Sequence, residues 1–480
     1  MSFASHQFIF LFLPITFAVF WSVQRKSVGA ALWALSIASG WFYAAWDPKD
    51  ILVAGSSIAF NYLSAHQILT HKARARSWLT FAIVVDIGVL LYFKYLNFIA
   101  SGLEYATGSA AFHLRTIVLP LGVSFFTFTQ IAYLVDCAAG KVRPEQHNAR
   151  DYILFVAFFP HLIAGPILHH ANIIPQFHRE FRLDWSRKVS AGVMMFVVGL
   201  GKKVVLADNL AKLATPSFDH ASKGFALTVQ DAWLGIISYT LQLYFDFSGY
   251  SDMAVGAALM VGIMIPFNFN SPYRALSIID FWRRWHMSLS TFLRDYLYIP
   301  LGGSRGTPGR RYFNIFTTML LGGIWHGAGI NFVIWGFIHG ALIVMNHLWR
   351  DFAAPSFGRL RDRFAFKVLA YLLTMLGVML GWVFFRASDF SSAVRILHAA
   401  VGHTGADLLR RETGVLPAWL LIGISATIAA WPVNSLRIHD DVMSSTATIK
   451  WPAIMLRSGL LFALCIAFIS ADSPFLYFQF

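Results

Sequence analysis

The sequence predicts an all-α polytopic membrane protein, and three observations carry that prediction. Of its 480 residues, 57% are apolar and only 13% are charged, where a soluble domain carries about a quarter charged residues. Apolar runs of about 18 residues or more, long enough for a helix to cross a bilayer, recur along the chain. Basic residues gather in the short stretches between those runs, as they do in loops held on one side of a membrane.

The expected spans lie at 7–24, 29–46, 51–69, 78–100, 115–137, 190–207, 226–247 and 313–348, with more near 367–386, 416–432 and 452–471. No basic region precedes the first, and Arg25 and Lys26 follow it. That is the reverse of a cleavable signal, so the segment is expected to be retained. The second begins almost at once, as in a helical hairpin. Basic clusters then follow at Lys72, Arg74 and Arg76, at Lys141, Arg143 and Arg150, and at Arg179, Arg182, Arg187 and Lys188. Placing these in the cytoplasm puts the 47–50 turn, the 101–114 loop and the N-terminus on the opposite side.

Two stretches are less regular, 152–175 and 251–268. "FFPHLIAGPILHH" (158–170) holds Pro160, Gly165 and Pro166 beside His161, His169 and His170. Each proline removes a backbone donor, so a re-entrant or kinked segment is expected there. Broken backbone at membrane depth is tolerated only inside protein or against a wet cavity.

The net charge of +14 raises the question of nucleic acid. Its distribution in inter-span loops answers for a membrane topology instead. Cys137 and Cys465 are far apart in sequence and form no metal or redox spacing, so both read as packing residues. The polar segments (138–151, 176–189, 271–312, 349–366 and a mixed stretch at 402–415) are internal. The chain therefore reads as one integral-membrane domain over 1–480, with its chemistry in or at the bilayer.

The densest polar constellation is "FDFSGYSDM" (245–253) followed by residues 268–311. From Arg274 to Arg311 seven arginines stand against Asp280 and Asp295, interleaved with Trp282, Trp285, Phe292, Tyr296 and Tyr298. One reading is an interfacial helix with an aromatic belt and snorkelling arginines. The other is a docking face for a phosphorylated ligand, since guanidinium forks pair with phosphate.

"GGIWHGAGINFVIWGFIHG" (322–340) sets His326 and His339 among closely spaced glycines. An imidazole inside a span is costly unless paired, so it points to function. The plainer reading is a neutral ring bonded across a helix interface that Gly323 and Gly327 bring close. On one continuous helix the thirteen positions between the histidines amount to roughly 220° of rotation, so the two would face different cavities. Counted from Tyr312, His326 falls near the middle of the run. His286, in "WRRWHMSLS", reads as an interfacial loop residue. His161, His169 and His170 have no acid or thiol at ligand spacing, so no metal site is expected.

Five stretches in order, "LPLGVSFFTFTQIAYLVD" (119–136), "FFPHLIAGPI" (158–167), "QLYFDFSGYSDMAVG" (242–256), "FWRRWHMSLSTFLRDYLYIPLGG" (281–303) and "GGIWHGAGINFVIWGFIHG" (322–340), together resemble the membrane-bound O-acyltransferase (MBOAT) superfamily. The similarity is strongest to its bacterial alginate O-acetylation (AlgI-like) branch, a neighbour of the teichoic-acid D-alanylation proteins. It covers roughly residues 7–400, with core motifs at about 119–348. The resemblance implies about eleven or more transmembrane helices plus re-entrant pieces around a central tunnel. It also implies a catalytic role for His326, the "WHG" histidine, with His286 as the second characteristic histidine.

On that resemblance the expected activity is O-acyl transfer in a bacterial inner membrane, with a periplasmic N-terminus. Acetyl-CoA or an acyl-carrier thioester would be the donor, and no bound cofactor is expected. The acetyl group would reach an extracellular alginate- or cellulose-like polysaccharide through a periplasmic SGNH-type partner in a biosynthesis complex. Arg283, Arg284, Arg294, Asp295, Arg305 and Asp246 are the candidate substrate-binding residues. An acyltransferase acting on teichoic acid, lipid or protein remains open, as does a transporter or channel without acyl chemistry.

Overall fold

A computed structural model of the chain describes residues 1–108, 117–179, 181, 185–403, 415–444, 451–469 and 475–476. Residues 109–114 of the expected outer loop, Arg182, and most of the 402–415 stretch fall outside these. Every regular element among the described residues is helical. Lys72–Thr107, Trp185–Ser222, Ile330–Asp362 and Phe364–Arg386 are each long and apolar enough to cross a bilayer. Leu416–Ala430 and Ser435–Ser444 form an apolar pair bent by 44°, and Phe8–Gln24, Val28–Ala44, Val123–Ala138 and Leu456–Phe468 are shorter apolar helices. The chain is an all-α polytopic membrane protein.

The residues form two compact units built from discontinuous segments. The first comprises Met1–Leu200, Tyr250–Phe267 and His439–Phe478. Its helix Val28–Ala44 starts where the Ser27 hydroxyl accepts the Ala30 amide at 3.2 Å, satisfying one of the free amides of a helix N-terminus. Interlocked phenyl rings fill the space around it, with Phe8 and Phe42 edge-on at 5.6 Å and Phe12 and Phe159 at 5.1 Å. Asp50–Thr70 and Ala75–Leu90 are tied by the Asn61 amide, which donates to Asp86 at 2.9 Å.

In the same unit the 158–170 stretch breaks as its prolines predict. A short helix, Phe159–Leu162, is followed by irregular backbone until His170–Ile173. The His161 ring turns inward onto the Phe155 carbonyl at 2.9 Å. Cys137 and Cys465 are buried free thiols.

The second unit comprises Gly201–Gly249 and Asn268–Ile438 with Gln479–Phe480. Here the apolar run at 313–348 is not one span. Thr307 accepts the Arg310 amide at 3.3 Å and Pro308 opens a helix that ends at His326. Gly327, Ala328 and Gly329 reverse the chain into a second helix, Ile330–Leu348. Glycine is a poor helix former, and its lack of a side chain lets the arms touch. A Cβ on Gly323 would sit 2.4 Å from the Phe332 carbonyl oxygen, and one on Gly336 2.7 Å from that of Met319. The expectation of one continuous helix is corrected by this antiparallel hairpin, and with it the inference that His326 and His339 face apart. His326 ends its helix rather than standing in mid-span.

Candidate active site

The hairpin brings its two histidines onto one tryptophan. His326 is largely buried, 6% exposed, with ring contacts to Trp325 at 4.8 Å, Trp335 at 4.9 Å and Phe385 at 5.2 Å. Trp335 and Phe385 meet the imidazole edge to face, an arrangement aromatic rings favour. The Trp335 ring lies 4.8 Å from His339. Rigid rings on three sides restrict rotation of the His326 side chain.

His339 is wholly buried. The Trp282 indole N–H donates to its Nδ1 at 3.3 Å. A neutral imidazole that accepts at Nδ1 carries its proton on Nε2. That nitrogen has no hydrogen-bond partner among the described residues. It faces Gly381, where an added Cβ would approach Nε2 to 2.6 Å. Position 381 therefore has to be glycine for His339 to keep its place.

His286 lies in the bend between Ile278–Trp282 and Met287–Leu293, as expected, but it is buried rather than interfacial: it is 1% exposed and adopts φ 43°, a left-handed conformation that costs a side-chain-bearing residue energy. Its neighbours enforce the shape. The Met287 amide donates to the Asn268 carbonyl at 3.0 Å, and the Ser288 hydroxyl donates to Asn268 Oδ1 at 2.6 Å. The His286 ring stands edge-on to Phe247 at 4.7 Å. Phe247 is thus one ring neighbour of His286, while His326 and His339 share Trp335.

The arginines separate by partner. Arg283 and Arg294 line a cavity of about 610 Å³ together with Trp282, Tyr298, Thr318 and His347. Arg294 also forks onto neighbouring Asp295 at 2.7 and 3.0 Å. Arg284 turns away to Asp280 at 2.8 Å and the Asn270 carbonyl at 3.3 Å. Arg305 is exposed in the turn before the hairpin, and Arg311 pairs with Asp351. Among the described residues no carboxylate pairs with Arg283, which leaves its charge available to an anion in the cavity. Trp282 connects the two features, since it lines the cavity and holds His339. Trp282 and Trp285 are buried, so they do not form the aromatic belt of the interfacial reading.

Asp246 is buried in an ion-pair cluster. Lys203 Nζ lies 2.7 Å from Asp246 and 2.9 Å from Asp208, and its side chain is 2% exposed. The pairing of Lys203 with Asp246 spans 43 positions and escapes local patterning, although Asp208 is only a few residues from Lys203. The signal in reach was the pair of lysines inside the apolar run 190–207, since an ionisable group at membrane depth needs a partner. Trp335 gave no signal beyond composition.

In the first unit Asp136 Oδ2 lies 3.0 Å from His169 Nε2 and 3.2 Å from His170 Nδ1. The acid missing from the local spacing comes from a helix more than thirty positions earlier.

Comparisons with known proteins bear on this site. The sequence model of the membrane-bound O-acyltransferase family matches residues 75–384, a range that includes the hairpin and the arginine-lined cavity. The chain is 40% identical to the "Probable alginate O-acetylase AlgI" of Azotobacter vinelandii, over 100% of both chains. It is 37% identical to the peptidoglycan O-acetyltransferase of Helicobacter pylori, over 98% of this chain and 96% of that one. To the teichoic acid D-alanyltransferase of Bacillus subtilis it is 25% identical, over 56% of this chain and 69% of that one.

Proposed function

The chain belongs to the membrane-bound O-acyltransferase family and is an O-acyltransferase, and from that premise we propose that it transfers an acetyl group from a cytoplasmic thioester toward an extracellular polysaccharide, with His326 as general base. The observation that carries the base assignment is the seating of His326. It ends the first arm of a glycine-packed helix hairpin, clamped by Trp325, Trp335 and Phe385. A base held in one orientation meets the geometric demand of proton transfer.

In the proposed step, neutral His326 takes the proton of an acceptor hydroxyl as its oxygen attacks the thioester carbonyl. The tetrahedral intermediate collapses to the ester, and the departing thiolate takes the proton back from the imidazolium. Acetyl-CoA or an acyl-carrier thioester both carry phosphate, which Arg283, lining the 610 Å³ cavity, suits. Arg294 serves there beside Asp295. Close packing at Gly323 and Gly336 keeps water from the thioester. His286, Arg284, Arg305 and Asp246 act in this reading through packing and charge around the site.

Acetyl is preferred over other acyl groups because two relatives aligned over essentially full length are named for O-acetyl transfer to alginate and to peptidoglycan. The weaker likeness to a D-alanyltransferase keeps teichoic acid as the other acceptor class. An alginate- or cellulose-like glycan as acceptor, a periplasmic SGNH-type relay within a biosynthesis complex, a bacterial inner-membrane location and a periplasmic N-terminus complete the proposal. The basic clusters between spans support that orientation.

The deciding experiment measures turnover of acetyl-CoA and of an acetylated acyl-carrier thioester by the purified chain in lipid nanodiscs, with polysaccharide and with peptidoglycan fragments as acceptors. Wild-type turnover with loss of about a hundredfold or more in His326→Ala is expected, the scale of a removed general base. Full turnover in His326→Ala refutes the base. Absence of turnover with either thioester, alongside solute flux through the wild type, refutes acyl transfer from these donors.

A further inference from the structure

Asp136, His169 and His170 play no part in the proposed reaction, yet they converge. We propose that they form a binding site for Zn²⁺ or a chemically similar transition-metal dication. Asp136 is 0% exposed and sits near the end of Val123–Ala138. Its Oδ2 lies 3.0 Å from His169 Nε2 and 3.2 Å from His170 Nδ1, and the three candidate ligand atoms lie within 4.8 Å of one another. Bonds of about 2.0–2.2 Å put the ligands of a tetrahedral zinc ion roughly 3.3 Å apart. Two edges of the triangle, at 3.0 and 3.2 Å, are close to that length, and the third is no longer than 4.8 Å.

The donor set defines the class of ion. Two imidazoles and one carboxylate suit zinc and its neighbours, whereas calcium and magnesium take oxygen ligands. Three protein ligands leave a fourth position for water.

The backbone explains how consecutive residues can both serve. His169 is extended, at φ −106° and ψ 128°, while His170 opens a helical turn, so the two rings turn toward the same oxygen. They stack at 4.9 Å.

Access and charge also fit. The His169 side chain is 30% exposed, which gives an ion a way in, while Asp136 is sealed behind it. Lys141 Nζ donates to the other carboxylate oxygen, Oδ1, at 2.7 Å. The ammonium therefore holds and orients the carboxylate without occupying Oδ2, the role of an outer-sphere partner. A bound ion would pin the broken 163–173 segment to Val123–Ala138. The ordinary alternative is a hydrogen-bond cluster in which both imidazoles donate to Oδ2 and no ion enters.

The full-length protein in detergent, stripped with chelator and then equilibrated with excess ZnCl₂ and desalted, separates these two. Metal analysis is expected to give one zinc per chain, and CoCl₂ in its place the visible bands of four-coordinate cobalt. His169→Gln keeps a side-chain N–H for Asp136 but removes the ligating imidazole. It is expected to elute as wild type, lose the cobalt bands and lose at least tenfold in zinc affinity. His170→Ala is expected to behave likewise, whereas Lys141→Ala, which leaves all three ligands in place, is expected to keep the cobalt bands while binding more weakly. A wild type that retains no zinc or cobalt overturns the proposal. So does undiminished binding in the two histidine variants, which would place the metal elsewhere, or disappearance of the cobalt bands in Lys141→Ala, which retains every ligand. Because the readout is metal content and spectrum, it stands apart from any result on acyl transfer.

Discussion

His326 and His339 flank the same indole: the Trp335 ring lies 4.9 Å from the first imidazole and 4.8 Å from the second. Thirteen positions separate them in sequence, but a turn at Gly327–Gly329 folds the second helix back along the first. One tryptophan thus contacts the proposed base on one arm of the hairpin and a fully buried histidine on the other.

That contact makes Trp335 a positioning residue. Trp335→Leu should lower kcat about tenfold or more while leaving the donor KM nearly unchanged, because the ring restrains His326 and does not line the arginine cavity. A merely structural role would lower the yield of folded protein and leave the kcat of the folded fraction intact. Steady-state kinetics on monodisperse protein tells these apart.

The close crossing of the hairpin should be intolerant of side chains. Gly336→Val would drive carbons into the Met319 carbonyl and the Gly323 backbone. It should destabilise by at least about 1–3 kcal/mol, the range for overpacked cores. Gly309→Ala, where a Cβ meets nothing within 4 Å, should stay close to wild type. Thermal unfolding in detergent checks both.

The arginines should not be equivalent. Arg283→Ala is expected to raise the KM for a phosphate-bearing donor about tenfold or more, on the scale of a charged hydrogen bond. The wild-type KM should rise with ionic strength. Arg284→Ala, already committed to Asp280 and Asn270, should leave KM within about twofold. Equal effects of the two variants would contradict the assignment of the cavity to the donor.

The buried cluster of Lys203 with Asp246 and Asp208 should depend on all its members. Lys203→Met leaves two carboxylates without their cation and should cost about 3–5 kcal/mol. The double change Lys203→Met with Asp246→Leu should recover part of that loss, because it removes a stranded charge. Unfolding midpoints of the three proteins test the coupling.

Much of this protein was legible in one dimension. Hydropathy and loop charge determine a polytopic helical membrane protein, because a bilayer forces each span to satisfy its own backbone. The prolines and glycine of 158–170 announced a broken segment, and the glycines around His326 announced close packing. Local patterning could not reveal pairings between distant segments. The hairpin turn depends on Gly323 meeting Gly336, a contact that a continuous run of hydropathy conceals. Likewise Trp282 on His339, Lys203 on Asp246 and Asp136 on the two histidines join residues from 33 to 57 positions apart. The sequence by itself determined which groups are too polar for lipid. Only the tertiary structure decided which partner neutralises each one, because buried polar atoms take their partners from whatever the packing brings within about 3 Å.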